Sequence, residues 1–383
     1  MVAQTESPVT PDVVRWAITE DGRTREALAD ALHVSIHELD AWLMGNSSPS
    51  RGQVSDLARV LRRPRALFFL PAAPEQATTP PAFRHPPGDT RDVGTRTLRA
   101  YRRARRVQQA VAWARGGHTI DMPMASKSAP PERAAAQIRA WLGVSNEDQS
   151  GWGDDRAALA AWRAALEERD VLVFSLEIGE DEVRGFSSWD AVAPMLAVNV
   201  SSVTPAARIF TLGHELAHLV LRSDAACIDQ PPTNGSATRR MDDAERWCEE
   251  FAAALLMPRD AVASVARERR FASPAGIAEV KALMSAFRVS ARAAALRLID
   301  LGLAERSLYG AVITQFAPKK KEPAKTTNFR RPSRSTSRIR EYGGRTLATV
   351  LSSIPETDAM SVLRVDWDDV RKLADEVPGV RAS

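Results

Sequence analysis

The chain has 383 residues, of which 44% are hydrophobic and 26% charged, and its formal net charge is +4. This length exceeds what one hydrophobic core usually serves, so we expect two or three domains of ordinary globular composition. The sequence shows no signal-peptide pattern, no apolar run long enough to cross a bilayer and too few cysteines for a disulfide framework. These features argue against a membrane-spanning or disulfide-rich secreted protein, and we predict a cytoplasmic location.

Residues 1–70 are predicted to form an all-α module of short helices. Thr24 can cap one helix, and Ser35 with Glu38 can form a capping box for the next. Two capped helices joined by a tight turn are typical of a helix-turn-helix, whose second helix enters the major groove when it binds DNA. The candidate DNA-contacting residues on this basis are Ile36, His37, Asp40 and Arg51.

The candidate recognition helix is acidic, because it contains both Glu38 and Asp40. Acidic side chains are repelled by the phosphates that normally supply most of the affinity for DNA. Two roles therefore stay open for this module, which are DNA binding and recognition of a protein partner.

Residues 71–130 are predicted to be a proline-rich linker followed by a basic helix at Leu98–Arg115, and residues 131–314 to be a mixed domain. Within that domain, β-branched runs at 170–179, 183–188 and 195–200 predict strands. Apolar periodicity predicts helices, which are Pro205–Arg222, Asp242–Leu256, Arg259–Arg269 and Pro274–Leu301. The combination indicates an α+β fold.

The run HELAH carries the strongest chemical pattern of the chain. On a helix, residues four apart share a face, so His214 and His218 can bind one ion, while Glu215 can reach a water on it. The alternative is a helix whose two histidines are merely hydrogen-bonded in a core. A catalytic zinc needs a third protein ligand and an open position for water.

The third ligand is predicted on the next helix, which presents Glu245 and Glu249 one turn apart. We predict that Glu245 binds the ion and that Glu249 accepts the free ring N–H of a ligand histidine, which would set its orientation. Two carboxylates on one helix face can equally be a solvated surface, but the apolar remainder of this helix indicates that it packs into a core.

The two helices together resemble a known family. FTLGHELAHLVL at 210–221, followed by ERWCEEFAAALLMP at 245–258, is similar to the ImmA/IrrE-type metallopeptidases, and the resemblance extends over about 131–303. It implies a zincin-like domain with Zn²⁺ as cofactor that cleaves a regulatory protein, either a repressor or an antitoxin-like partner. That family usually has Asn at the position of Glu249. Residues 23–45 resemble the XRE-type helix-turn-helix.

Residues 315–337 are rich in Pro, Lys and Arg and are predicted to be a second linker, dispensable for cleavage. Residues 338–383 are predicted to form a small helical C-terminal module. We interpret the basic clusters at 84–106 and 319–345 as solvated helix faces or linkers rather than nucleic-acid sites.

Three functional hypotheses follow from these patterns. The leading one is a regulatory zinc endopeptidase with a fused helix-turn-helix and no membrane partner. The main alternative is a DNA-binding transcriptional regulator whose metal site senses zinc or is catalytically idle. A partner protein that acts by binding alone is disfavoured, because the motif is intact and includes Glu215. The sequence does not indicate the oligomeric state.

Overall fold

The computed structural model describes residues 9–21, 24–61, 63, 65–73, 95–179, 183–201, 204–223, 225–227, 243–317 and 332–380. The described residues up to Arg102 form one compact unit, and those from Arg103 onward form a second. Within these described ranges, no helix is long and apolar enough to cross a membrane.

The first unit is all-helical around its own apolar core. Its elements are α1 (Pro11–Asp21), α2 (Arg25–Leu32), α3 (Ile36–Met44), α4 (Arg51–Val60), the 3₁₀ helix Arg65–Phe69 and the start of α5 (Thr95–Ala114). Leu28, Leu39 and Leu57 are fully buried at its centre. The Thr24 side chain accepts from the Ala27 amide, as predicted for the cap of α2.

The turn between α2 and α3 is tight, because His33 adopts a left-handed conformation and ends α2. Ser35 then caps α3 by accepting from the Glu38 amide. The other half of the predicted capping box is replaced, since the Glu38 carboxylate accepts from the Gln53 side chain at 2.7 Å. The reciprocal box is instead formed one helix later, between Ser50 and Gln53.

The second unit combines helices with one small sheet, which agrees with the predicted α+β class. The helices before and within the sheet region are α6 (Pro131–Leu142), α7 (Asn146–Gly151), α8 (Asp155–Glu168), α9 (Pro205–Val220) and α10 (Asp243–Leu256). The later helices are α11 (Arg259–Glu268), α12 (Ile277–Phe287), α13 (Ala291–Asp300), α14 (Ser307–Gln315), α15 (Arg334–Tyr342), α16 (Gly344–Ser353), α17 (Glu356–Leu363) and α18 (Trp367–Glu376).

The sheet has four strands, β1 (Leu172–Leu176), β2 (Gly185–Ser188), β3 (Met195–Asn199) and β4 (Ala225–Cys227), in the order β1-β3-β2-β4. β1 pairs with β3 in parallel, and Phe174 lies opposite Ala197. β2 is antiparallel to both β3 and β4. Helix α9 packs on β2 and β3 and is enclosed by α8 and α10, which places it in the centre of the unit.

Two parts of the predicted element map need correction. The single helix predicted over Pro274–Leu301 is wrong, because Arg288 adopts a left-handed conformation between α12 and α13, and Ser290 caps the second helix. The short elements α7, α14 and β4 had no predicted counterpart.

The arginines of α5 that lie in the second unit are engaged by protein groups, so this part of the basic cluster is not the solvated face or linker that the sequence analysis predicted. Arg103 lies 3.5 Å from the Glu341 carboxylate. Arg105 donates to the Ser188 hydroxyl, and Arg106 donates to the Ser361 carbonyl. The positive charges of these three arginines are therefore engaged by groups of the second unit.

Among the C-terminal helices, α15 packs on the sheet. Helix α15 contacts β1, and the Tyr342 ring meets the Phe174 ring edge-on at 5.2 Å. Arg163 on α8 donates to the Arg340 carbonyl at 3.1 Å. The module predicted from Arg338 onward thus lies in the same compact unit as the sheet, and most of the predicted linker, residues 318–331, lies outside the described residues.

We expect Gly343→Ala to loosen this attachment. Gly343 joins α15 to α16 with φ +81°, and a Cβ there would lie 2.5 Å from Oε1 of Glu167 and 2.7 Å from NH2 of Arg163. Holding a non-glycine residue in such a conformation costs about 1–3 kcal/mol. The free energy of unfolding, measured in urea, should fall by that amount.

The adjacent glycine provides a matched control. A Cβ on Gly344 would have no neighbour within 4 Å, and this residue begins α16. Gly344→Ala should therefore leave the free energy of unfolding nearly unchanged. Equal destabilisation by the two substitutions would contradict the close contact of Gly343 with Glu167 and Arg163.

Candidate metal centre

Helix α9 places three polar side chains inside the second unit. The first residue of the helix is Pro205, a position where proline costs no hydrogen bond. The Thr204 side chain caps the helix. His214 is 8% exposed, Glu215 0% and His218 2%, so all three are buried. Buried polar side chains need polar partners. Helix α9 packs against α10 and the sheet, so these are the elements that surround the three side chains.

Helix α10 brings Glu245 to the two histidines. Nε2 of His214 lies 3.3 Å from Oε2 of Glu245, and Nε2 of His218 lies 3.5 Å from Oε1. The two imidazole Nε2 atoms are themselves 3.3 Å apart. The ligand atoms of all three residues lie within 4.8 Å of one another.

These separations fit a tetrahedral metal ion. Zinc binds imidazole nitrogen at about 2.0–2.1 Å and carboxylate oxygen at about 2.0–2.2 Å, which puts neighbouring ligand atoms about 3.4 Å apart. Three ligands of this composition leave one position open. The residues His214, His218 and Glu245 therefore form a group that could hold a zinc ion.

The electrostatic environment of His214 favours positive charge. Burial by itself lowers the pKa of His214, but a hydrogen bond that its ring N–H donates to Glu245 and the charges of Glu215, Glu245 and Glu249 outweigh it, so the pKa is raised. Carboxylates that stabilise an imidazolium would also stabilise a divalent cation in the same place.

Glu215 is positioned by the close approach of β2 to α9. A Cβ placed on Gly185 would lie 2.7 Å from the Ala197 carbonyl oxygen, 2.8 Å from Cγ2 of Thr211 and 3.0 Å from Cγ of Glu215. The strand can lie this near to the helix only because residue 185 has no side chain. Gly185 is thus a site residue that the sequence analysis missed.

We expect Gly185→Ala to displace the Glu215 side chain, to lower the peptidase activity that the sequence analysis predicts for this centre, and to reduce the free energy of unfolding by about 1–3 kcal/mol through overpacking. The clash includes the Ala197 carbonyl oxygen, which cannot rotate away. Urea unfolding and a cleavage assay at saturating zinc would measure both effects.

Gly213→Ala is the matched control, because it adds the same methyl group to α9 itself. Its Cβ would lie 3.5 Å from Cβ of Ala252, an ordinary van der Waals distance. We expect no loss of stability there. Activity equal to wild type in Gly185→Ala would contradict the proposed tight contact.

The far end of α10 is held by groups from α6, α7 and α13. Arg139 donates to the Leu255 carbonyl, Gln149 to the Leu256 carbonyl and Arg297 to the Met257 carbonyl. These carbonyls have no partner within the helix, and cationic donors are favourable at this end. Burial lowers the pKa of Arg139 to about 10, so the side chain stays charged at neutral pH. The helix that carries Glu245 is consequently fixed at its C-terminal end.

The predicted partner of a ligand histidine, Glu249, is exposed, and its acceptance of a ring N–H stays a prediction. Around Nδ1 of His218 the structure places two other groups, the Ser223 hydroxyl at 3.4 Å and the Cys248 sulfur at 3.6 Å. Cys248 is a free, buried thiol. The sequence analysis did not identify Ser223, which lies three residues beyond the end of α9.

The candidate DNA-contacting residues lie in the first unit, at the starts of α3 and α4. His37 and Arg51 are exposed, while Ile36 and Asp40 are partly buried. Asp40 pairs with Arg25 at 3.2 Å, which partly neutralises its charge.

Comparison with protein families places the site in a known context. Residues 166–298 match the family Peptidase_M78, described as the IrrE N-terminal-like domain. The matched segment contains the whole sheet and both helices of the candidate centre. It supports an ImmA/IrrE-type peptidase domain and a metallopeptidase-like role for this part of the chain. A search of curated proteins found no match.

Proposed function

We propose that this protein is a zinc-dependent endopeptidase that cleaves a regulatory protein. The observation that carries the proposal is the group formed by His214, His218 and Glu245, whose potential ligand atoms lie within 4.8 Å of one another next to the buried Glu215. A purely structural zinc site has no need of a further carboxylate at this position. The family match of residues 166–298 supports the same class of activity.

The roles of the residues follow from their chemistry. His214, His218 and Glu245 would hold the ion, which when bound would acidify a water and stabilise negative charge on the carbonyl oxygen. A carboxylate oxygen of Glu215 accepts the proton of the attacking water and then delivers it to the leaving amine nitrogen. Glu215 is fully buried, and its charge helps to raise the pKa of the neighbouring His214, which indicates that its carboxylate lies near that imidazole.

The substrate that we propose is a repressor-like or antitoxin-like protein in the cytoplasm. The proposal rests on the resemblance to the ImmA/IrrE-type peptidases and on the separate helical unit, which is available to recognise a partner. The test is to express the wild-type protein or Glu215→Gln in the native host and to sequence newly formed protein N-termini. New N-termini in a regulatory protein should appear only with the wild type. Identical sets in both strains would refute the proposal.

DNA binding by the first unit is a second candidate function, favoured by the capped α2–α3 pair with its exposed His37 and Arg51. Binding of the full chain to a labelled duplex, followed by fluorescence anisotropy at several salt concentrations, would test it. If Arg51 contacts a phosphate, Arg51→Ala should weaken binding evenly across sequences and reduce the salt slope by about one. Absence of binding at low salt would eliminate this function.

A further inference from the structure

A strap of irregular chain, residues 120–129, is bonded to the end of the helix that carries the two histidines. The Ala125 amide donates to the carbonyl of Val220, the last residue of α9, at 3.1 Å. Two residues beyond the helix, the Arg222 guanidinium donates to the Met122 carbonyl at 2.6 Å. Because both bonds must break before the strap can move, it is fixed to this end of α9.

The other end of the strap is bonded to α10. Nε1–H of Trp247, which can only donate, does so to the Ala129 carbonyl at 2.7 Å. The Ala129 amide donates to the Ser126 carbonyl at 3.0 Å, which closes a tight turn directly after Ala125. The Trp247 side chain is buried, and its ring stacks on Phe251 with the centroids 5.3 Å apart. The strap therefore joins α9 to α10 through a short, hydrogen-bonded turn.

This bond holds α10 close to its candidate ligand. Trp247 follows Glu245 by two residues, and residues two apart on a helix lie on different faces, so Trp247 grips the helix from outside the group of ligand atoms. The Glu245 side chain is 24% exposed, against 10% and 2% for the two histidines. Its position consequently depends more than theirs on where the backbone of its helix is held.

We propose that Trp247 is a positioning residue, which fixes the first two turns of α10 to the strap and so keeps Glu245 at the distance from α9 that a shared metal ion needs. This inference rests on the proposed function, since it assigns Glu245 as a metal ligand. Loss of the indole N–H should free the start of α10. The far end of the helix should stay in place, because Arg139 and Gln149 still donate to its last carbonyls.

The test compares full-length wild type with Trp247→Phe by two measurements. Hydrogen exchange of the metal-free protein reports how readily each segment opens, and competition with a chelator gives the zinc affinity. In Trp247→Phe the amides of residues 247–251 should exchange about 2–10-fold faster, the factor for one typical hydrogen bond, while those of residues 252–256 should stay as protected as in wild type. Zinc should bind about tenfold more weakly, at the lower end of the effect of groups that orient metal ligands.

Trp162→Phe is the matched control. Trp162 is fully buried on α8, and its Nε1 has no hydrogen-bond partner among the residues that the structure describes. The same change of side chain therefore removes no hydrogen bond there. The exchange of residues 247–251 relative to residues 252–256, and the zinc affinity, should both match wild type in this variant.

The inference is overturned if Trp247→Phe exchanges like wild type over residues 247–251, or if its zinc affinity is unchanged despite faster exchange. The same selective change in Trp162→Phe would also overturn it. If the wild type binds no zinc, the proposed function fails, while hydrogen exchange still decides whether Trp247 holds α10. If Trp247→Phe does not fold, the decision passes to a benzothienyl side chain at position 247, which keeps the size of the indole but has sulfur in place of N–H. That variant must then show the faster exchange and the weaker zinc binding.

Discussion

Replacing Glu215 with Gln is expected to leave zinc bound and to lower peptide cleavage by about 10²–10⁴, the usual contribution of general acid–base assistance. The amide keeps the size of the carboxylate and can still form hydrogen bonds, but it cannot accept a proton from the attacking water. Because Glu215 is fully buried, a carboxylate from the solvent cannot take its place. The measurements are zinc content and the single-turnover rate of cleavage of the regulatory protein.

Affinity for the substrate should change little, so the variant should trap its partner. Glu250→Gln provides the control. Glu250 is exposed on α10, so this variant should cleave the substrate at the wild-type rate. In the regulator hypothesis neither substitution alters the output. A Glu215→Gln strain whose target genes respond like wild type would therefore count decisively against proteolysis as the function.

Loss of any one ligand should abolish tight zinc binding. The three predicted ligands each contribute one of only three protein bonds to the ion, so His214→Ala, His218→Ala and Glu245→Ala should all be purified with little zinc. The wild type should contain about one zinc per chain on the same basis. Elemental analysis after dialysis against buffer would measure this.

Glu249→Ala serves as the comparison for Glu245→Ala. The exposed Glu249 adds negative charge near His214 but lies outside the group of ligand atoms, so its removal should weaken zinc binding only modestly. A much larger loss with Glu249→Ala than with Glu245→Ala would show that the two carboxylates have exchanged roles. Full zinc occupancy in both histidine variants would refute the metal site.

The sequence predicted the elements whose signals are local. The strands β1, β2 and β3 and the helices α9 and α10 were identified from residue type and periodicity, because each buries its own apolar face. The short β4 was missed, since three residues carry too little pattern and depend on pairing with β2. The break at Arg288 was also missed, because an arginine in a left-handed conformation has no composition signal.

The candidate site shows the same division between local and tertiary information. The spacing of His214 and His218 on one helix predicted that they would share a face, and Glu245 meets them because α10 packs on α9. Ser223 and Gly185 could not be found this way. Their contacts arise from the turn after α9 and from the approach of a strand distant in sequence.

The anchoring of α10 has a consequence for where the second unit can be cut. The segment that matches the family, residues 166–298, excludes both Arg139 and Gln149. A fragment with those ends would lose α6 and α7, which supply the donors to the Leu255 and Leu256 carbonyls and so hold this end of α10. It would also lose Glu132, the carboxylate 2.7 Å from Arg297. We therefore expect that a stably folded fragment must begin upstream of the family segment, before α6.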